Sequence, residues 1–168
     1  DEEYIGKQFK RALQLLIFGL IITFVTKIIF PTNYVRFGIF HFLSLAILCS
    51  LLFVNNIEYT LFGMIIFLIL NYAIIVNRNN FIGVCSDNNY LCFILGIFNY
   101  YGSIDHFAFI PHFMTLLSGM AVGHVVYKDG VRNINLSILD NVYKNSNLVQ
   151  GVGYLGKQSL NIYLFHWV

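Results

Sequence analysis

Four histidines, one aspartate and one serine are the residues of this chain singled out as having chemistry to offer. His41 lies little more than one turn beyond Arg36, inside the apolar run YVRFGIFHFLSLAILCSLLFV at 34–54. Asp105 and His106 are adjacent, and His112 follows just after Pro111. Ser159, Tyr163 and His166 fall at i, i+4 and i+7, on one face of a helix. Imidazole takes and returns a proton near neutral pH, so this set suits proton transfer and general base catalysis. An ionisable side chain at membrane depth is costly in lipid and faces protein or a water-filled cavity. Two readings of His41 stand: it lines a site, or a neighbouring helix satisfies it. The Ser159–His166 stripe faces other helices, with or without a cavity between them.

Other chemistries find no support. There is no P-loop, Gly-rich dinucleotide turn, HExxH or pair of CxxC motifs. His106 and His112 are six apart around a proline, a poor spacing for two ligands on one helix face, so no metal is expected. Cys85 and Cys92 are either disulfide-bonded or free thiols, and Cys49 is expected to be an inert core residue. The net charge of +2 is too small and too spread out for nucleic acid.

The elements that position these groups follow from composition. Of 168 residues 58% are hydrophobic and 11% charged, and the mean hydropathy is +0.70. Soluble domains carry about 25% charged residues, so the chain reads as all-α, a polytopic transmembrane helical bundle. Its apolar runs are continuous rather than alternating, which favours helices over a barrel. Five spans are expected, at about 12–30, 35–54, 59–76, 107–127 and 151–168, in a single membrane domain covering 1–168. The run at 90–101, YLCFILGIFNYY, is too short to cross and is expected to be re-entrant or interfacial. Asn71 is expected to hydrogen-bond between helices, and Gly119 with Gly123 to make a close helix contact. Ser103 and Asp105 are candidates to cap the fourth span. Residues 128–150, with Ile134, Ile138, Leu139 and Val142 at helical spacing, form a surface helix or a loop. A start without methionine and an end inside an apolar run suggest a segment of a longer membrane protein.

If 90–101 does not cross, Lys7, Lys10, Arg11, Lys128, Arg132, Lys144 and Lys157 share one face, which the positive-inside rule makes cytoplasmic. His41, Asp105, His106 and His112 then gather near the opposite, extracytoplasmic mouth. A crossing there would reverse the orientation with an equally large charge bias. Span length favours the first arrangement.

Three stretches in order resemble one membrane family. Lys10-Arg11 followed by LLIFGLIITFVTKIIFP and then FGIFHF at 37–42 resembles the membrane family of heparan-alpha-glucosaminide N-acetyltransferase and its prokaryotic relatives. IDHF at 104–107, Pro111 and LSGMAVG at 117–123 resemble the family's DYFPLLPW…LLG…G segment. LGKQSLNIYLFH at 155–166 resembles its LGxxSLxIYLxH helix. His106 stands where the family usually has tyrosine and His112 where it has tryptophan, so neither is carried over as a family site. His41, Asp105, Ser159 and His166 match motif positions and are expected to bind substrate. The family's catalytic histidine follows an arginine–glycine motif in helices that would precede Asp1.

The resemblance implies acyl transfer across a membrane, from cytoplasmic acyl-CoA, most simply acetyl-CoA, to a sugar amine or hydroxyl on the other side. Lys128, Arg132 and Lys157 are candidates for the CoA phosphates, and each taken singly is also accounted for as a positive-inside residue. The expected partners are the lipid bilayer and a sugar or glycan acceptor, with homo-oligomerisation left open. Two other classes compete: a proton- or solute-coupled transporter using the histidines as a relay, and a scaffold whose histidines are only hydrogen-bonded. Transporters often show broken helix pairs or repeat symmetry, which this sequence lacks.

Overall fold

Helix α1 spans Glu2–Ile29, beginning ten residues before the expected span. Glu2 and Glu3 occupy its first turn, where carboxylates meet the positive end of the helix dipole. Glu3 also pairs with Lys7 one turn on, at 2.6 Å. These local contacts carry the helix out through its polar start. At about 1.5 Å per residue it is roughly 42 Å long, more than a hydrocarbon core of about 30 Å requires. Pro31 follows directly and cannot extend it.

The computed structural model describes residues 2–77, 80, 90–97, 103, 105–128, 131–132, 146–159 and 162. They fall into two compact units, Asp1–Val125 and Val126–Val168. The first holds α1, α2 (Ile39–Ser50), α3 (Ile57–Val76), α4 (Tyr90–Leu95) and α5 (Phe109–Val126). The second holds a small antiparallel ladder of β1 (Tyr127–Lys128) and β2 (Val131–Arg132), with Tyr127 opposite Arg132 and Lys128 opposite Val131. Helix α6 (Asn147–Lys157) follows, capped by Ser146, whose hydroxyl accepts from Val149 N. Apart from that two-residue ladder the described chain is all-α.

Helices α1, α3 and α5 are long and apolar enough to cross a membrane. The α3 and α5 boundaries agree with the expected third and fourth spans within two residues. The second expected span, 35–54, holds a helix shorter than its apolar run. Its helix, α2, has only 12 residues, roughly 18 Å, because the chain before it is extended and the chain after it tightens. Leu51, Leu52 and Phe53 bond back three residues, to Leu48, Cys49 and Ser50, in 3₁₀ fashion. The buried hydroxyl of Thr60 then donates to Phe53 O at 2.8 Å and ties this turn to α3.

The short apolar run is helical only in part among the described residues. Helix α4 is six residues long and ends in a Schellman turn, with Ile97 N on Cys92 O and Gly96 N on Phe93 O. Gly96 takes a positive φ of 84°, and a Cβ there would lie 2.5 Å from that of Ala108. Cys92 is disulfide-bonded and Cys49 is free, while Cys85 lies outside the described residues. So do Lys144, the candidate surface-helix positions 134–142, and Tyr163 and His166 of the fifth expected span. The first part of that span is occupied by α6.

Packing in the first unit is small-inside and large-outside, the pattern of helices solvated by lipid. Helix α1 buries only Ala12 and Gly19, and α3 only Thr60 and Gly63, while Phe24, Ile28, Phe62 and Tyr72 point outward. A compact aromatic core of Phe37, Phe42, Phe93, Phe109 and Phe113 with Leu117 joins α2, α4 and α5. Phe67 of α3 packs edge-on to Phe113 at 4.8 Å. One packing expectation fails: a Cβ at Gly119 or Gly123 meets nothing within 4 Å, so among the described residues that small-residue face has no helix against it. Asn71 lines a recess of about 110 Å³ bounded by the turn after α4 and by Pro111.

Candidate functional site

The site is built around the entrance of α2. Thr26 of α1 accepts a hydrogen bond from Val35 N at 3.1 Å, which fixes where the chain turns back toward α2. Phe37 then pairs with His106 in a single parallel bridge, and Phe107 N donates to Phe37 O at 3.0 Å. This long-range pairing holds the chain before α2 extended, and Gly38 is the N-cap with φ −91° and ψ −172°. The Ser103 hydroxyl donates to Asp105 O at 2.8 Å and lies 3.3 Å from Tyr34 O, closing the loop over the entrance.

Gly38 makes room for a carboxylate. A Cβ there would lie 2.7 Å from Asp105 Oδ2 and 2.8 Å from Val35 Cγ1. Asp105 thus packs against the N-terminus of α2, where free amides and the helix dipole favour an anion. Its carboxylate serves the entrance of α2 rather than only the start of the fourth span. Lys27 and Arg36 both approach the ring of Tyr34, at 5.6 Å and 4.9 Å, placing two positive charges at the same end of the unit.

His41 lies one turn inside, 9% exposed, with the Phe37 ring 5.8 Å away. The polar edge of its imidazole abuts Gly19 of α1: a Cβ there would be 2.9 Å from Cε1, 3.0 Å from Nδ1 and 3.1 Å from Nε2. Only glycine admits the ring this closely. His41 Nδ1 is buried without a hydrogen-bond partner among the described residues, and Asp105 is near enough for its charge to act on the ring. Buried polar atoms are nearly always satisfied, so this orphan nitrogen stands out against the bonded imidazoles of the same unit.

The other two imidazoles are tied down. His106 stacks on Phe93 at 4.0 Å, and its Nε2–H donates to Phe93 O at 2.8 Å. His112 donates from Nδ1–H to Ala108 O at 2.7 Å. A carbonyl can only accept, so these bonds assign opposite tautomers. Burial pushes the His106 pKa below its ordinary value. The Phe93 carbonyl and Asp105 oppose that shift, and His112 adds to it.

A pH dependence follows. The folded state binds the His106 proton less readily than the unfolded chain, so this contribution to stability is present above about pH 6.5 and lost as pH falls through the lower folded value. Thermal unfolding in detergent is expected to show a melting temperature that drops on acidification, with a shallower drop in His106→Tyr. Equal slopes in the two proteins would exclude His106 as the source.

Of the expected substrate-binding set, His41 and Asp105 come together at one helix entrance. Ser159 is exposed in the second unit, just beyond the Gln158 turn, and His166 lies outside the described residues. Of the expected phosphate contacts, Lys128 and Arg132 fall on the two strands of the ladder and Lys157 in the last turn of α6, exposed. Sequence reasoning missed Gly19, Thr23, Gly38 and the Phe93 carbonyl. Gly19, Thr23 and Thr26 recur at i, i+4 and i+7 within an otherwise bulky run, and that small, polar period was the signal available for the first two.

Among the described residues no group of three His, Cys, Asp or Glu side chains is placed to hold a metal ion. No curated protein and no solved structure matches the chain. The family model that does match is the catalytic region of heparan-alpha-glucosaminide N-acetyltransferase, over residues 2–168. With an orphan imidazole and a carboxylate meeting beneath apolar helices, and that match running through nearly the whole sequence, the chain belongs to this acetyltransferase family of membrane enzymes.

Proposed function

We propose that the full protein transfers an acetyl group from acetyl-CoA on the cytoplasmic side to a sugar amine or hydroxyl on the other, from a polytopic position in the cell membrane. The observation that carries this reading is the buried His41 imidazole, unpartnered at Nδ1 and within electrostatic reach of Asp105 at the α2 entrance. The acceptor nitrogen or oxygen attacks the thioester carbonyl, the C–S bond breaks, and the coenzyme leaves as a thiolate that is protonated on its own side. The proton on the attacking atom must be shared with a base, and His41 at the acceptor mouth takes or relays it together with the upstream histidine that the family resemblance implies. Asp105 holds the positive charge that develops there, or a sugar hydroxyl. Ser159 and His166 are further substrate-binding residues, and Lys128, Arg132 and Lys157 contact the CoA phosphates through charge-assisted bonds. The arrangement has five spans, with α2 and its flanking turns forming the second.

The test is directional. Full-length protein is placed in liposomes with acetyl-CoA on one side and D-glucosamine on the other. Acetylglucosamine is expected only when the donor meets the face bearing Lys7, Lys10 and Arg11. Equal product from both arrangements would refute the orientation. Proton flux without any acetyl donor would favour a transporter instead.

A further inference from the structure

The α1 face that meets α2 is a seam of small and polar residues: Ala12, Gly19, Thr23 and Thr26. Thr26 is satisfied, donating to Ile22 O and accepting from Val35 N. Thr23 is not. Its hydroxyl oxygen is buried without a partner among the described residues, although a helical threonine ordinarily bonds back to the preceding turn. Thr23 stands one turn from Gly19, the residue against which the polar edge of His41 is pressed. Two buried orphan atoms, one on each helix, therefore occupy one seam about a turn apart: Thr23 Oγ1 and His41 Nδ1. With no water in the hydrocarbon core to substitute, an unsatisfied group is costly, and each of the two atoms can take one more hydrogen bond.

We infer that Thr23, with His41 across a floor of Gly19, forms a binding subsite for one hydroxyl or amine of the acceptor. The inference rests on the acetyl-transfer reading and adds to it a contact from α1. The threonine hydroxyl both donates and accepts, so it can serve a neutral amine or a sugar hydroxyl while His41 Nδ1 takes the other bond. Gly19 matters here because any side chain would push the imidazole out of the seam and away from Thr23.

The test uses full-length protein carrying ring-labelled histidine, with the His41 signal assigned by its loss in His41→Gln. D-Glucosamine is the probe. In the wild type its addition is expected to shift the His41 signal saturably. Thr23→Val is expected to raise the half-saturation concentration about five- to ten-fold, the effect of one lost hydrogen bond, and Thr23→Ser to stay within about two-fold of wild type. Thr23→Ala, which adds no bulk, must behave as Thr23→Val does. An unmoved His41 signal in the wild type, or Thr23→Val and Thr23→Ala binding as tightly as wild type, overturns the subsite. Acetyl transfer from acetyl-CoA in the same preparations keeps the two ideas apart. Binding at His41 without product retains the subsite and removes the enzymatic reading. Product formed with a wild-type acceptor KM in Thr23→Ala does the reverse.

Discussion

His41→Ala in the full-length protein is expected to lower acetyl transfer at least about 10²-fold, the smaller end of what general base help supplies. The expectation rests on placement. The residue is buried, the polar edge of its ring faces α1, and Asp105 is close enough for its charge to act on it. A histidine serving only to hold helices together would have a ring nitrogen bonded, as His106 and His112 each do. The variant deletes a buried side chain but also removes an orphan polar atom, and the second effect offsets part of the cavity cost. His41→Gln, closer in volume but unable to carry the proton, separates the chemistry from the packing. Both variants are expected to fold, judged by thermal unfolding in detergent, and both to be inactive. Wild-type turnover in a folded His41→Gln would remove His41 from the reaction.

The parts of this fold that were legible in the sequence are those that depend on continuous apolar length. Helices α3 and α5 begin and end where their runs do, because Asn56 and Asn77 bound one and the polar 103–106 stretch precedes the other. The start of α1 was not legible, since a polar first turn closed by Glu3 and Lys7 extends a helix without any apolar signal. Nor was the shortness of α2. Its limit is set by Phe37 pairing with His106, a contact across 69 positions that no local pattern encodes. The same contact explains why Asp105 could be placed near the mouth from the sequence but not against Gly38. His41 was visible as an ionisable residue in an apolar run. The residues that make it unusual were not visible: a glycine, a threonine and a backbone turn carry no chemical signature until a second helix faces them.

That dependence on facing surfaces gives the other large effect. Gly19→Val is expected to reduce acetyl transfer about as far as His41→Ala, although residue 19 does no chemistry. The added Cβ would sit 2.9–3.1 Å from Cε1, Nδ1 and Nε2 of His41, and valine adds two methyls beyond it. Close-packed interiors absorb such overlap by moving side chains off their rotamers or helices apart, at about 1–3 kcal/mol. Here the nearest thing free to yield is the imidazole itself, so the ring turns away from the seam and its distance from Asp105 changes. A displacement of about 1 Å at a reacting group is enough to cost roughly 10²-fold in rate. Gly6→Val is the matched control, because a Cβ at that position on the same helix meets nothing within 4 Å. The signature to look for is a folded Gly19→Val protein with an altered His41 ring signal and little turnover, beside a Gly6→Val protein indistinguishable from wild type. Full activity in Gly19→Val would mean that the imidazole does not work from the position it occupies against α1, and the acceptor site would have to be sought elsewhere.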